Sequence, residues 1–184
     1  MKTMKRALRH LDKPANTLRA LFLLLTAALL AASGAATPLA LASGPLRIGD
    51  TPPRVSVADL GGRPFRIPDD VRGKVVILHF WAGGCSSCRE EMPAMESLFN
   101  RYGKKGLTIL AVNVGQQKQA VRTFVAGMKV SYPVFLDLDT KAAREYEVVG
   151  VPKTFILDRK GQIRYKIVGS ASMESLNKLV NSLL

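Results

Sequence analysis

"VVILHFWAGGCSSCREEMP", Val75 to Pro93, runs an apolar segment straight into two cysteines three positions apart. Val75 to Phe80 is apolar at every position except His79, the pattern of a central strand covered on both faces. From Ser86 to Tyr102 the apolar residues Met92, Met95, Leu98, Phe99 and Tyr102 recur at helical spacing, and Gly103 offers a stop. The cysteines therefore fall at the N-terminal end of a helix that follows a buried strand.

Cys85 and Cys88 are the only cysteines in 184 residues, so their spacing asks for a chemical reason. A zinc site needs four ligands, and the only histidines are His10 and His79, so no protein-only zinc cage can be assembled. Beyond Cys88 there is no histidine to complete a copper site either. A static disulfide across so short a loop removes little chain entropy and is a poor stabiliser. It is an effective redox switch instead. At a helix N-terminus the unpaired N–H groups and the macrodipole favour a thiolate. Cys85 is thus the expected attacking thiol, and Cys88, one turn further in, the resolving thiol. Side chains three apart on a helix share a face and lean toward its N-terminus, which sets Glu91 over Cys88 while Glu90 points elsewhere. Glu91 is assigned to move protons for Cys88, the plain alternative being an exposed helical glutamate that favours the dipole. No bound cofactor is required, since the electrons reside on the two sulfurs.

Working outward, Leu107 to Val114 reads as a second buried strand, and Gln117 to Lys129 as the helix after it. Strand, helix, strand, helix is the signature of a parallel α/β unit. "SYPVFLD" precedes a short helix, "TKAAREYE", with Asp139 as its expected cap. "KTFILD" and "QIRYKIVG" are joined by a turn over Asp158 to Gly161 into an antiparallel hairpin, and "SMESLNKLVNSLL" closes the chain as an amphipathic helix. Upstream, Val55 to Val57 and Pro64 to Ile67 form another hairpin through Gly61 and Gly62, preceded by a Gly- and Pro-rich linker or extended lead-in over 43–53.

Residues 1–42 carry a different pattern. Six basic residues against the single acid Asp12 precede an apolar run from Ala20 to Ala32, and Ala40 and Ala42 form a small-x-small signal ahead of Ser43. That is the order of a secretory signal. The weakly apolar stretch continues to Ala42, so two readings stand: cleavage after Ala42, or an uncleaved anchor over 20–42. Both put residues 43–184, a single domain, on the periplasmic side. The net charge of +13 is in large part the leader's, since without it 21 basic residues face 13 acids, or +8. These are dispersed, without the aromatic interleaving of a nucleic-acid surface, so nucleic acid is not an expected partner.

With strand, CxxC, helix and the later "VVGVPKTFILD" in place, residues 49–169 resemble the thioredoxin superfamily. Within it they resemble most the TlpA/ResA-type thiol-disulfide reductases, including those of cytochrome c maturation. The resemblance rests on "GDTPP", "GKVVILHFWA", "CSSCREEMP", "LTILAVNV", "YPVFLD" and "VVGVPKTFILDRKGQI". It implies a thioredoxin-like α/β fold, a central mixed sheet flanked by helices with the N-terminal hairpin as an extension. It also implies a monomer that acts on a protein disulfide, such as that of an apocytochrome c, and is recharged by a membrane thiol donor. Pro93 would kink the active-site helix, Pro152 would be a cis-proline facing the disulfide, and the backbone of Val151 would pair with the substrate chain. Trp81, packed beside the disulfide, completes the expected substrate face.

Four positions depart from that family's pattern. Gly84 stands where a bulky tryptophan is usual, which opens the site and wets the Cys85 sulfur. Ser86 and Ser87 occupy a gap that commonly holds proline, and their hydroxyls can bond a thiolate. His79 falls where thioredoxin carries a buried aspartate that accepts protons, work an imidazole can do near neutral pH, the plain alternative being a hydrogen-bonded core histidine. An oxidant that donates its disulfide, and a client-binding module in which the cysteines are secondary, remain the alternatives. A peroxidase is disfavoured, because no Thr-x-x-Cys pattern is present.

Overall fold

The computed structural model describes residues 45–184; the leader, its cleavage site and the anchor reading over 20–42 lie outside the described residues. Seven strands form one mixed sheet: β1 (Val55–Asp59), β2 (Pro64–Ile67), β3 (Val75–Trp81), β4 (Leu107–Val114), β5 (Val134–Asp137), β6 (Lys153–Leu157) and β7 (Ile163–Val168). Their spatial order is β2-β1-β5-β4-β3-β6-β7. The three inner strands β3, β4 and β5 run parallel, as expected where helices make the crossovers, and the two hairpins flank them antiparallel. The helices are α1 (Ser86–Tyr102), α2 (Lys118–Met128), α3 (Lys141–Glu145) and α4 (Met173–Asn181).

Alternation along β3 divides the core into two. Val75, Ile77 and Trp81 face one layer, with Met92, Met95 and Leu98 of α1, Val121 of α2, and Leu176 and Val180 of α4. Val76, Leu78 and Phe80 face the other, with Tyr146, Phe155 and the α3 alanines Ala142 and Ala143. Each fully buried aliphatic side chain here contributes about 1.5–3 kcal/mol of transfer free energy. The same alternation puts His79 on the α1 face. Met92 and Met95 are packing residues, both fully buried.

α1 ends at Tyr102 with Gly103 as its C-cap, where the sequence places the stop; a short 3-10 turn follows, and Gly106, at φ 103°, supplies the left-handed exit. Two other local readings are refined. The cap of α3 is chiefly Asp137, at the end of β5: its carboxylate accepts the N–H groups of Ala142 (3.0 Å) and Ala143 (2.8 Å), while Asp139 takes only that of Lys141. The segment before β1 is a docked lead-in rather than a free linker. Gly49 N donates to Ile163 O (2.7 Å), Ile163 N donates to Asp50 O (2.9 Å), and Leu46 N donates to the Glu147 carboxylate (2.9 Å).

Candidate active site

The parallel strand β3 delivers the chain to the open end of the sheet, where a tight turn carries it into α1. Cys85 N donates to Ala82 O (3.2 Å), closing that turn, and Cys85 is the N-cap of the helix. Cys85 and Cys88 form a disulfide, with Cα atoms 5.3 Å apart. The two sulfurs differ in access: Cys88 is fully buried, whereas Cys85 is partly exposed. Cys88 N donates to the Cys85 sulfur at 3.1 Å, an unpaired helix-terminal N–H aimed at the atom that would carry thiolate charge. Ser87 Oγ stands 3.7 Å from the same sulfur, and Ser86 is exposed. A side chain at Gly84 would meet nothing within 4 Å, so the approach to Cys85 is open where a bulky residue was expected.

One turn beyond Cys88, Glu91 is only 5% exposed, so it is not a solvated helical glutamate. One of its oxygens accepts the backbone N–H of Ala171, in the loop between β7 and α4. Burial raises its pKa, and the Ala171 bond opposes that in part. Its other oxygen lies 4.0 Å from Nδ1 of His79. His79 Nδ1 also pairs with Thr154 Oγ1 of β6 at 3.0 Å. Burial pushes the imidazole down to about 4, so the ring is neutral at pH 7 rather than poised to titrate there. A shallow depression of about 370 Å³ opens beside Glu91, lined by Ser87, Glu90, Ala94 and the Ser170–Met173 loop.

The peptide bond between Val151 and Pro152 is cis, and Pro152 O accepts from Gly169 N (2.9 Å). Among the described residues nothing bonds the backbone of Val151. Two residues before it, Val149 is 99% exposed. Lys153 Nζ donates to Glu147 O and holds this loop from below. Trp81 departs from its expected place on the substrate face: it is fully buried, in the layer that contains Cys88, with its ring 4.9 Å from that of Phe124. The residue type favours interior packing once α2 covers the end of β3, so Trp81 backs the disulfide without meeting solvent.

Residue-level reading does not single out Thr154, Ala171 or Gln116, which bond site residues from 33 to 80 positions away, or Asn113, which bonds Gln116 from behind. For Gln116 a topological signal is available, since loops following the adjacent parallel strands β3 and β4 converge at the same end of the sheet. Among the described residues no cluster of three His, Cys, Asp or Glu side chains is placed to hold a metal.

A disulfide formed at the N-cap of the helix that leaves the central strand of such a sheet defines a thiol-disulfide oxidoreductase. Residues 48–166 match the model of the AhpC/TSA family. The chain is 35% identical over 136 residues to the thiol-disulfide oxidoreductase ResA of Geobacillus kaustophilus, covering 74% of this chain and 78% of that protein. Among solved structures it is similar to a candidate thiol:disulfide interchange protein DsbE of Chlorobium tepidum, with TM-score 0.70, 29% identity, and 75% and 98% of the two chains covered. It is also similar to the thioredoxin domain of a thiol-disulfide oxidoreductase of Bacteroides vulgatus, with TM-score 0.68, 26% identity, and 76% and 99% covered. The chain belongs to the AhpC/TSA family, and within it to the ResA-like thiol-disulfide oxidoreductases.

Proposed function

We propose that the protein is an exported disulfide reductase that works through a mixed disulfide. The observation that carries this reading is the inequality of the two sulfurs: an accessible N-cap Cys85 facing the Cys88 N–H, and a buried Cys88 behind it. In the reduced protein the Cys85 thiolate attacks one sulfur of a substrate disulfide, forms the mixed disulfide and expels the other substrate sulfur as thiolate, which takes a proton from solvent. Cys88 then gives up its proton and attacks Cys85, expelling the second substrate thiolate and forming the intramolecular disulfide. Two electrons pass to the substrate, and a dithiol donor returns them.

Glu91 is the base that receives the Cys88 proton and passes it to the departing thiolate; its raised pKa makes it a stronger acceptor than a solvated carboxylate. His79, neutral and anchored to Thr154, positions that carboxylate from behind. The unbonded backbone of Val151, next to Pro152, is an edge for a substrate strand, with exposed Val149 beside it.

The leader pattern of residues 1–42 supports a periplasm-facing location, where disulfide substrates exist. An apocytochrome c is a client of fitting chemistry, and a membrane dithiol protein a fitting donor. A Cys88→Ser variant tests the mechanism: it should accumulate a mixed disulfide on Cys85 when offered a disulfide-bonded client. Absence of any adduct while Cys85→Ser retains full reductase activity would overturn the reading. A reduction potential near that of thioredoxin, about −270 mV, supports the reductive direction, and one far above it would make the protein a disulfide donor.

A further inference from the structure

We propose that Gln116 is a positioning residue: its side-chain amide holds the turn that presents Cys85 and so controls how well the Cys85 thiolate is stabilised. The proposal rests on Cys85 being the attacking thiol. Gln116 follows β4, whose Asn113 is registered opposite Trp81 of β3, so the loops leaving the two parallel strands lie side by side. Gly83, the second residue of the Ala82–Cys85 turn, donates its backbone N–H to Gln116 Oε1 at 2.6 Å. Asn113 Nδ2 donates to the same oxygen at 2.8 Å.

The chemistry of the partners fixes the orientation of both amides. A backbone N–H can only donate, so the Gln116 atom facing Gly83 must be its oxygen. The Asn113 atom that shares this oxygen must then be nitrogen. Asn113 is fully buried, so the acceptor is pinned from inside the core while its other side grips the turn.

Gly83 has a matching constraint. Its φ is not in the left-handed range, so backbone freedom is not what a glycine supplies there. A Cβ would lie 3.3 Å from both amide atoms of Gln116 and 3.5 Å from Phe124 Cδ2. The missing side chain is what lets the amide approach. The turn itself is closed by the Cys85 N to Ala82 O bond, and beyond it Cys85 O accepts from Arg89 N at 3.2 Å, so the Gly83 side of the turn depends on Gln116. Freeing Gly83 would let Cys85 drift from the Cys88 N–H, which now stands 3.1 Å from its sulfur. A less stabilised thiolate destabilises the reduced form and makes the couple more reducing.

The test is a double-mutant cycle on the full chain with Gln116→Ala, Gly83→Ala and the pair, which break the same contact from opposite sides. Two readouts are taken: equilibrium with a glutathione redox buffer, and the pH profile of iodoacetamide alkylation of the reduced protein, with the modified cysteine located by mass spectrometry. Each single variant should shift the equilibrium toward the disulfide by about threefold to tenfold, the latter being about 30 mV, and move the Cys85 alkylation profile to higher pH. The pair should do little more than either single variant, because the contact can be lost only once. Singles that stay within about twofold of wild type in both readouts, or that add independently, overturn the proposal. First alkylation at Cys88 in the wild type would instead overturn the attacker assignment, and this proposal with it.

Discussion

Nδ1 of His79 lies 4.0 Å from Oε2 of Glu91, and the two side chains are buried at 0% and 5% exposure. Burial acts on them in opposite directions, lowering the proton affinity of the imidazole and raising that of the carboxyl. The arrangement sets a neutral ring beside a carboxyl group whose hold on a proton is strengthened, one helical turn from Cys88. A surface ion pair would have neither property.

Glu91→Gln separates the acid's cost from its use. Because the folded pKa of Glu91 is raised above 4.5, its contribution to stability is complete below that value and is lost as pH rises through the folded pKa. Glutamine keeps an acceptor for the Ala171 N–H but cannot ionise. Its Tm relative to wild type should therefore be higher at pH 7 than at pH 4. Closure of a preformed mixed disulfide should slow by about 100-fold at pH 7, the lower end for a lost acid–base group. A Tm difference independent of pH, with unchanged closure, would refute both halves.

His79 carries the opposite linkage. Its pKa falls from 6.5 to about 4 in the folded protein, so between those values the unfolded chain binds more protons. The stability it contributes is complete above pH 6.5 and is lost as pH falls toward 4, by about 3 kcal/mol in all. His79→Asn should flatten urea-unfolding stability across that window, and its closure rate should fall far less than that of Glu91→Gln. An imidazole NMR titration with a midpoint near 6.5 in the folded protein would contradict the prediction.

The parts of this site legible in the sequence are those whose partners lie within one element. The bounds of α1 and β4 follow from helical spacing and from an unbroken apolar run, and Glu91 falls near Cys88 because both ride one helix face. Closures made by distant chain are another matter. Nothing local marks Ala171 as the partner of Glu91, 80 positions away, or Thr154 as that of His79, 75 away. Asp137 is hidden as a cap because it reads as the last residue of a strand, and the 3-10 turn that carries the chain from Gly103 to Gly106 has no apolar period of its own. The burial of Trp81 has no local mark either, because the covering ring, Phe124, belongs to a different helix.

Gly106 joins α1 to β4 under two constraints. Its φ of 103° is strained for any L side chain, and a Cβ would stand 2.7 Å from Arg159 Nη1. That guanidinium ties three chain segments by donating to Gly73 O, Lys105 O and Leu184 O. Gly106→Ala should destabilise the protein by about 1–3 kcal/mol in urea unfolding, with the glutathione equilibrium unchanged because the redox pair sits at the other end of β3. A loss below about 0.5 kcal/mol would mean that the loop absorbs the methyl freely.

Trp81 is the only tryptophan, which makes it a reporter of the redox pair. It is fully buried in the layer that holds Cys88, with Cys85 packed against the same layer. A disulfide accepts an electron from excited indole and quenches it, so reduction with dithiothreitol should raise the emission intensity. Phe124 covers the indole at 4.9 Å, and Arg89 lies 5.0 Å over the Phe124 ring, so α1 and α2 are joined through this stack. Phe124→Leu should cost about 0.5–1.5 kcal/mol through the lost ring pair and shift the emission to the red as water reaches the indole. The redox response should persist, because Cys88 shares the buried layer of Trp81 independently of the Phe124 ring. Identical emission from oxidised and reduced wild type would show that Trp81 is not electronically coupled to the Cys85–Cys88 pair.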